Sequence, residues 1–177
     1  MKESKVIVAL DFDNRNSLDS FCEQVAPSDC KLKVGKELFT VFGPSLVKDL
    51  IQKGFDVFLD LKFHDIPNTV SRAVKAACDI GVWMTNVHSL GGSKMMEEAN
   101  KARRACGSNT NLIAVTMLTS HKSSELIEIG INESISCQVE KLAAMTFRSG
   151  LDGVVCSARE CAGSVSYTHL TLPTTRL

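Results

Sequence analysis

The segment 60–69 reads DLKFHDIPNT and contains three charged side chains that could act together chemically. Asp60 and Lys62 are two residues apart, so in an extended chain both side chains project from the same face. Asp65 follows in the next loop. A lysine between carboxylates favours its protonated form, and a protonated lysine can serve as a general acid. The segment therefore indicates proton transfer assisted by neighbouring charges.

This segment lies between a predicted strand and a predicted helix. The apolar run 55–59 is typical of a buried strand, which would end at the first charged residue. Pro67 prevents the strand from continuing, and Asn68 and Thr69 offer an N-cap for the helix beyond. We therefore expect the charged side chains to lie at the end of a buried strand.

Apolar runs alternate with helical patterns along the rest of the chain. The predicted strands are 6–10, 31–34, 55–59, 82–88, 112–117 and 153–156. The predicted helices cover about 17–25, 44–53, 68–81, 93–106, 124–129 and 134–148. Nearly apolar strands that alternate with helices predict a parallel sheet covered by helices.

Polar residues cluster at the carboxyl ends of all six predicted strands. These residues are Asp11, Lys33, Asp60 with Lys62, His88 with Ser89, Thr119 with Ser120, and Ser157. A ring of polar strand ends around one mouth is typical of a TIM barrel, whereas an open doubly wound sheet binds ligands at one switch point. We therefore predict an α/β chain of the TIM (β/α)8 barrel class with about six of the eight β/α units.

Composition and motifs exclude several classes of partner. The 20 basic and 20 acidic residues cancel, and no basic stripe is visible, so nucleic acid is not the expected ligand. No G-x-G-x-x-G or P-loop follows a strand, so no dinucleotide cofactor is predicted. The first apolar run, 6–10, is too short for a signal peptide or a membrane span. We expect a cytoplasmic protein that binds a small anionic ligand.

The cysteines and histidines do not indicate a metal or disulfide site. Seven cysteines are scattered without a C-x-x-C pair, which is typical of reduced, mostly buried cysteines. His64 and His88 are far apart in sequence and have no carboxylate at ligand spacing. The sequence predicts no metal ion.

The segment 60–69 resembles the signature D-x-K-x-x-D-I-P-N-T of bacterial members of the orotidine 5'-monophosphate decarboxylase family. Further matching stretches bring the resemblance to about residues 4–163: 8–11, 31–35, 86–88, 91–92, 115–120 and 152–158. Related barrels that act on sugar phosphates share the D-x-K-x-x-D core, but they usually lack the Ile-Pro that follows and use magnesium. Ile66 and Pro67 therefore favour the decarboxylase.

The resemblance implies cofactor-free decarboxylation of orotidine 5'-monophosphate to uridine 5'-monophosphate, a step of pyrimidine biosynthesis. It implies that Lys62 stabilises the carbanion that forms at C6 and then protonates it. Asp60 would lie near the departing carboxylate, where like charge disfavours the ground state. Lys33 would hold Asp60, and Asp65 would come from the partner subunit of a homodimer to complete an alternating array.

The resemblance also implies a set of substrate-binding residues. Asp11 would bind ribose together with Thr69 of the partner subunit, and Lys33 would contact a ribose hydroxyl. Ser120, or failing that Thr119, would contact the pyrimidine. The implied ligands are the substrate and product nucleotides.

Alternative interpretations stay open at this point. Asp60 and Lys62 could form a plain ion pair at the end of a strand, and Asp65 could serve only the helix dipole. The chain could be a magnesium-dependent sugar-phosphate decarboxylase or aldolase of the related barrels. It could also be a non-catalytic fragment that binds nucleotides or dimerises.

The end of the sequence departs from the family pattern. We expect residues 1–163 to form an incomplete decarboxylase barrel and residues 164–177 to be a foreign tail, disordered or artefactual. A complete barrel typically needs about 250 residues. The family's seventh and eighth strands, with the Thr-Pro-Gly loop and the Gly-Arg pair that grip the substrate phosphate, are not found. We therefore expect this truncated chain to have little or no activity.

Overall fold

The computed structural model describes residues 5–118, 123–157 and 171–173, and its centre is one parallel sheet. The strands are β1 (Ile7–Ala9), β2 (Lys31–Gly35), β3 (Val57–Phe63), β4 (Met84–His88), β5 (Asn111–Val115), β6 (Gly153–Cys156) and β7 (Thr171–Pro173). Each strand pairs in parallel with the next strand along the chain. This sequential order is that of a barrel, since a doubly wound sheet reverses its strand order at a switch point.

Helices connect the strands. They are α1 (Arg15–Gln24), α2 (Lys36–Gln52), α3 (Pro67–Ile80), α4 (Gly92–Ala105), α5 (Ser123–Glu128) and α6 (Ile135–Arg148), with a 3-10 turn at Ser89–Gly91. The predicted incomplete TIM barrel is therefore confirmed in its strand and helix order. Within the described residues, no helix is both long and apolar enough to cross a membrane.

The two faces of the sheet have different environments. Strand residues such as Leu32, Val34 and Leu59 are buried in one cluster with the helix residues Leu46 and Leu50. A second cluster joins α3 and α4 to β4 and β5. The helix-facing side of the sheet therefore holds most of the described apolar core.

The opposite face of the strands forms the barrel interior. Phe58, Met84 and Ile113 are buried there in one cluster. Because side chains alternate along a strand, the residues two positions further along β3 and β4 are also directed inward. Those residues are Asp60 and Asn86. The apolar layer thus lies beneath polar groups at the carboxyl ends of the strands.

Strand β3 is longer than the sequence predicts. It runs to Phe63, so Asp60 and Lys62 lie within the strand and not after it. The pairing with β4 is regular through Leu59↔Thr85 and resumes at Phe63↔Val87 with a shifted register. The prediction of a strand ending at residue 59 was therefore wrong, because hydrogen bonds to β4 continue the strand past its apolar run.

Besides α1, which begins at Arg15 and not at about residue 17, helix boundaries differ from the prediction at three places. Helix α2 begins at Lys36 and bends at Gly43, whose φ of 64° separates two helical parts, of which only the second was predicted. Helix α3 begins at Pro67 with Ile66 at the N-cap, so Asn68 and Thr69 do not cap it.

The third difference is at α4, which was predicted to begin at about residue 93. The helix begins at Gly92, with Gly91 at the N-cap. In contrast, α6 has a side-chain cap, because Ser134 accepts a hydrogen bond from the Cys137 N–H.

The end of the described chain adds a strand that the sequence did not predict. Strand β7 pairs with β6 from Val154↔Thr171 to Cys156↔Pro173. The rest of the predicted tail, 164–170 and 174–177, lies outside the described residues. The division of the chain at residue 163 therefore stays a prediction.

Candidate active site

Strands β2 and β3 bring two lysines to one carboxylate at the carboxyl end of the sheet. Lys62 Nζ lies 2.6 Å from Asp60 Oδ1, and Lys33 Nζ lies 3.4 Å from Asp60 Oδ2. Each carboxylate oxygen therefore faces a different ammonium group. Alternating charges of this kind can bind an anion or stabilise charge that develops during a reaction.

Asn86 of β4 completes this cluster. Its amide nitrogen donates to Asp60 Oδ1 at 2.6 Å, and its amide oxygen accepts from the backbone N–H of Lys62 at 2.7 Å. The Asn86 side chain is fully buried. The four residues Lys33, Asp60, Lys62 and Asn86 form what we call the charge cluster.

Lys62 has an unusual backbone. Its φ is 53°, and it is the one non-glycine residue with positive φ in the described part of the chain. The left-handed region costs a non-glycine residue about 1–2 kcal/mol. Strain of this size is often kept where it serves a function. Here it accompanies the register shift of β3 and the contact of Lys62 with Asp60.

The electrostatics of Asp60 reflect two opposing influences. Burial acts to raise the pKa of its carboxyl group. The hydrogen bonds from Lys62 and Asn86, with the charges of Lys62 and Lys33, outweigh burial and hold the pKa below its ordinary value. Asp60 is therefore a carboxylate at neutral pH, although only 12% of its side chain is exposed.

The charge cluster opens into a cavity of about 370 Å³. Asp11, Lys33, Asp60 and Lys62 all line it. The remaining lining residues are Leu10, Phe12, Gly35, Lys36, Glu37, Leu38 and Leu118. Pockets of about 300–1,000 Å³ are typical of small-molecule sites. The structure thus brings four of the predicted site residues around one space.

Other predicted site residues are not part of this cavity. Asp65 and Thr69 are both exposed and do not line it. Asp65 Oδ1 accepts a 2.6 Å hydrogen bond from the Ile66 N–H, and the Thr69 N–H donates to the Ile66 carbonyl. Their predicted action across a subunit interface is not tested by a single chain. Thr119 and Ser120 lie outside the described residues.

Sequence reasoning assigned no role to Asn86. The signal was present, because Asn86 is a polar residue two positions after the interior-facing Met84 on an otherwise buried strand. The rings of His64 and His88, distant in sequence, lie 5.6 Å apart and stack. Among the described residues, no group of three His, Cys, Asp or Glu side chains is placed to hold a metal ion.

Comparisons with known proteins agree with this geometry. A family model described as orotidine 5'-phosphate decarboxylase / HUMPS family matches residues 4–172. An orotidine 5'-phosphate decarboxylase of Tolumonas auensis is 57% identical over 163 residues, which cover 92% of this chain and 70% of the relative. One of Enterobacter sp. is 57% identical over 159 residues, covering 89% of this chain and 65% of the relative. The chain spans about two thirds of the length of these relatives.

A solved structure is similar over the same region. The crystal structure of orotidine 5'-phosphate decarboxylase from Lactobacillus acidophilus superimposes with a TM-score of 0.88 at 40% identity. The superposition covers 97% of this chain and 80% of that chain. The similarity therefore includes every strand that contributes to the charge cluster.

Proposed function

The chain belongs to the orotidine 5'-phosphate decarboxylase / HUMPS family, and from that membership we propose that it converts orotidine 5'-monophosphate to uridine 5'-monophosphate and CO2. The family description covers more than one kind of enzyme. The relatives at 57% identity are named orotidine 5'-phosphate decarboxylase. Their names favour the decarboxylase over the magnesium-dependent alternative.

The observation that carries the proposal is the charge cluster at the cavity. Loss of CO2 from a pyrimidine carbon leaves a carbanion, so an enzyme must supply positive charge and a proton at that carbon. Lys62 carries an ammonium group, and 28% of its side chain remains exposed at the cavity. In the proposed reaction, Lys62 stabilises the carbanion and then transfers its proton to C6.

Asp60 has two roles in the proposed reaction. Its carboxylate orients Lys62 through the 2.6 Å contact. It also places negative charge beside the substrate carboxylate, which favours departure of CO2. Because Lys33 and Lys62 both face Asp60, the carboxylate keeps its charge while it is largely buried. Lys33 would also reach a ribose hydroxyl.

Substrate binding would use the same cavity. We assign Asp11 to the ribose on the strength of its position in the cavity lining. Ser120 or Thr119 would contact the pyrimidine, an assignment that rests on the family signature alone. The uridine product would leave by the same mouth.

A second protomer would complete the site. Asp65 and Thr69 are exposed on the segment that joins β3 to α3, and the neighbouring Ile66 is 65% exposed although it is apolar. In a homodimer, the partner's Asp65 would extend the charge array and the partner's Thr69 would contact ribose. The exposure of this segment is consistent with such an interface.

Turnover by these 177 residues alone is expected to be slow. The aligned region covers about two thirds of the relatives' length. Contacts to the substrate phosphate, which the family resemblance places in its last two strands, supply remote binding energy for the reaction. A full-length relative should therefore be much faster.

The test is to incubate the purified 177-residue protein with orotidine 5'-monophosphate and to measure CO2 release and uridine 5'-monophosphate by chromatography. We expect slow turnover that survives EDTA and disappears in Lys62→Ala. Turnover that EDTA abolishes would point to the magnesium-dependent alternative. Equal rates for wild type and Lys62→Ala, with no binding of uridine 5'-monophosphate, would refute the proposal.

A further inference from the structure

We infer that Asn86 is a positioning residue for the proposed reaction, because its side chain forms hydrogen bonds with both the Asp60 carboxylate and the backbone N–H of Lys62. The inference rests on the proposed function for its catalytic meaning. The structural part of the inference, the contacts of Asn86 with Asp60 and Lys62, can be tested without turnover.

The orientation of the Asn86 amide is determined by its partners. A backbone N–H can only donate, and an ionised carboxylate can only accept. The amide oxygen must therefore face the Lys62 N–H, and the amide nitrogen must face Asp60, as their distances of 2.7 and 2.6 Å show. A flipped amide would lose both hydrogen bonds, so this fully buried side chain has one stable orientation.

The contact with Lys62 replaces a missing part of the strand pairing. The regular β3–β4 register stops at Leu59 and resumes at Phe63. Lys62 lies in this interval with its φ of 53°. By accepting from the Lys62 N–H, Asn86 holds the backbone in the conformation from which the lysine side chain reaches Asp60.

The contact with Asp60 determines how the carboxylate is turned. Oδ1 accepts from both Asn86 Nδ2 and Lys62 Nζ, each at 2.6 Å, and Oδ2 is directed to Lys33 at 3.4 Å. Without the amide donor, the carboxylate could rotate, and the two lysines would no longer face separate oxygens. Asn86 therefore positions the proton donor Lys62 and the carboxylate of Asp60 at the same time.

A second buried asparagine shows what a purely structural role looks like. Asn100 of α4 is 5% exposed and donates to the backbone carbonyls of Ser149 and Gly150, at 3.2 and 2.9 Å. It joins a helix to a turn and does not line the cavity. Its amide oxygen also accepts from the Arg103 guanidinium. Asn100→Ala is thus a control for Asn86→Ala, since it also removes a buried amide that is hydrogen-bonded through both its nitrogen and its oxygen.

The first arm of the experiment measures the Asp60 carboxyl by carbon-detected NMR during an acid titration of the free protein, with Asp60→Asn used for assignment. In Asn86→Ala we expect the titration midpoint of Asp60 to move to higher pH. In Asn100→Ala the midpoint should stay where it is in the wild type. This arm needs no turnover, so it tests the contact between Asn86 and Asp60 even if the proposed function is wrong.

The second arm measures decarboxylation. Misplacement of a reacting group costs about 100-fold in rate, so we expect Asn86→Ala to lower kcat by about 10- to 100-fold with KM little changed. Asn86→Asp offers a conservative rescue, because a protonated carboxylic acid can both accept from the Lys62 N–H and donate to Asp60. The activity of this variant should therefore rise as pH falls, with its optimum on the acidic side of the wild-type optimum.

Two results would overturn the inference. One is an Asp60 midpoint that is the same in wild type and Asn86→Ala. The other is an Asn86→Asp variant whose pH profile coincides with that of the wild type. If Asn86→Ala does not fold, the pH profile of Asn86→Asp decides the question. Absence of turnover in the wild type would count against the proposed function and leave the NMR arm valid.

Discussion

Strands β2 and β3 carry a lysine–aspartate contact at each of their ends, and the two contacts differ in their surroundings. At the amino end, Lys31 pairs with Asp56 and lies 4.1 Å from the centroid of the Trp83 ring. At the carboxyl end, Lys33 and Lys62 share Asp60. The same residue types at opposite ends of the same two strands, with Asp56 just before the start of β3, thus form two different sites.

The difference lies in how much each ammonium group is covered. The Lys31 side chain is 7% exposed, packed on an aromatic ring that stabilises its charge. The Lys33 and Lys62 side chains are 25% and 28% exposed and line a cavity. The ammonium group at the amino end is buried within the fold, whereas the two ammonium groups at the carboxyl end lie where a ligand can reach them. The charge of Lys31 therefore stabilises the fold, whereas the charges of Lys33 and Lys62 are placed to contact a ligand.

The largest expected effect is on catalysis, from matched substitutions of the two aspartates. Asp60→Asn should lower kcat/KM for orotidine 5'-monophosphate by at least about 100-fold, because it removes charge that orients Lys62. Asp56→Asn, at the other end of the same strand, should change it by less than about threefold. Steady-state kinetics of both variants measure this. Similar losses of kcat/KM in both variants would contradict the assignment of catalysis to the carboxyl end alone.

The next effect is on stability. Lys31→Met should lower the free energy of unfolding by about 1–2 kcal/mol, because it removes the cation–π contact of a buried lysine and its ion pair with the half-exposed Asp56. Lys33→Met should change it by less than about 0.5 kcal/mol, since the partly exposed Lys33 faces Asp60 at 3.4 Å. Urea unfolding followed by circular dichroism measures both values. A larger loss in Lys33→Met would contradict the assignment of the stabilising charge to the amino end.

A smaller effect concerns the backbone of Lys62. Lys62→Gly and Lys62→Ala both remove the ammonium group, so their stabilities differ only through the backbone. Because φ is 53°, the glycine variant should be more stable than the alanine variant by about 1 kcal/mol. Thermal unfolding of the pair is the measurement. Equal stability would show that residue 62 is not strained.

The smallest effect is on the pH dependence of stability. The pKa of Asp60 is lowered in the folded chain from its usual value of 3.8. Its ionised form therefore contributes stability that is fully present above that value and is lost as pH falls through the folded-state pKa. The half-buried Asp19 and the exposed Glu133, whose pKa values are also lowered, act in the same direction. The informative quantity is the difference in unfolding free energy between wild type and Asp60→Asn, which should shrink in acid.

The sequence predicted the order of strands and helices well. Strand β6 and helices α5 and α6 lie within one residue of their predicted bounds, because apolar patterning is a local signal. The first part of α2 was missed, since the predicted helix began only at residue 44. In the structure, Gly43 supplies a bend between two helical parts instead.

The site was predicted less completely, and the reasons are physical. Asp11, Lys33, Asp60 and Lys62 were expected together because parallel strands align their carboxyl ends. The extension of β3 and the role of Asn86 depend on contacts between residues about 25 positions apart, which no local pattern encodes. Asp65 and Thr69 remain predictions, because a single protomer cannot test an action across an interface.

The sequential strand order has a consequence for the way the chain folds during synthesis. Each of the first five strands pairs with its neighbour in the chain, and the contacts that join β3 to β4 span only 24 to 26 residues. Short spans of this kind close loops at little entropic cost and favour rapid folding. All four residues of the charge cluster precede α4 in the chain, so they are synthesised before that helix. The chemistry of the site could thus be assembled by the first half of the chain.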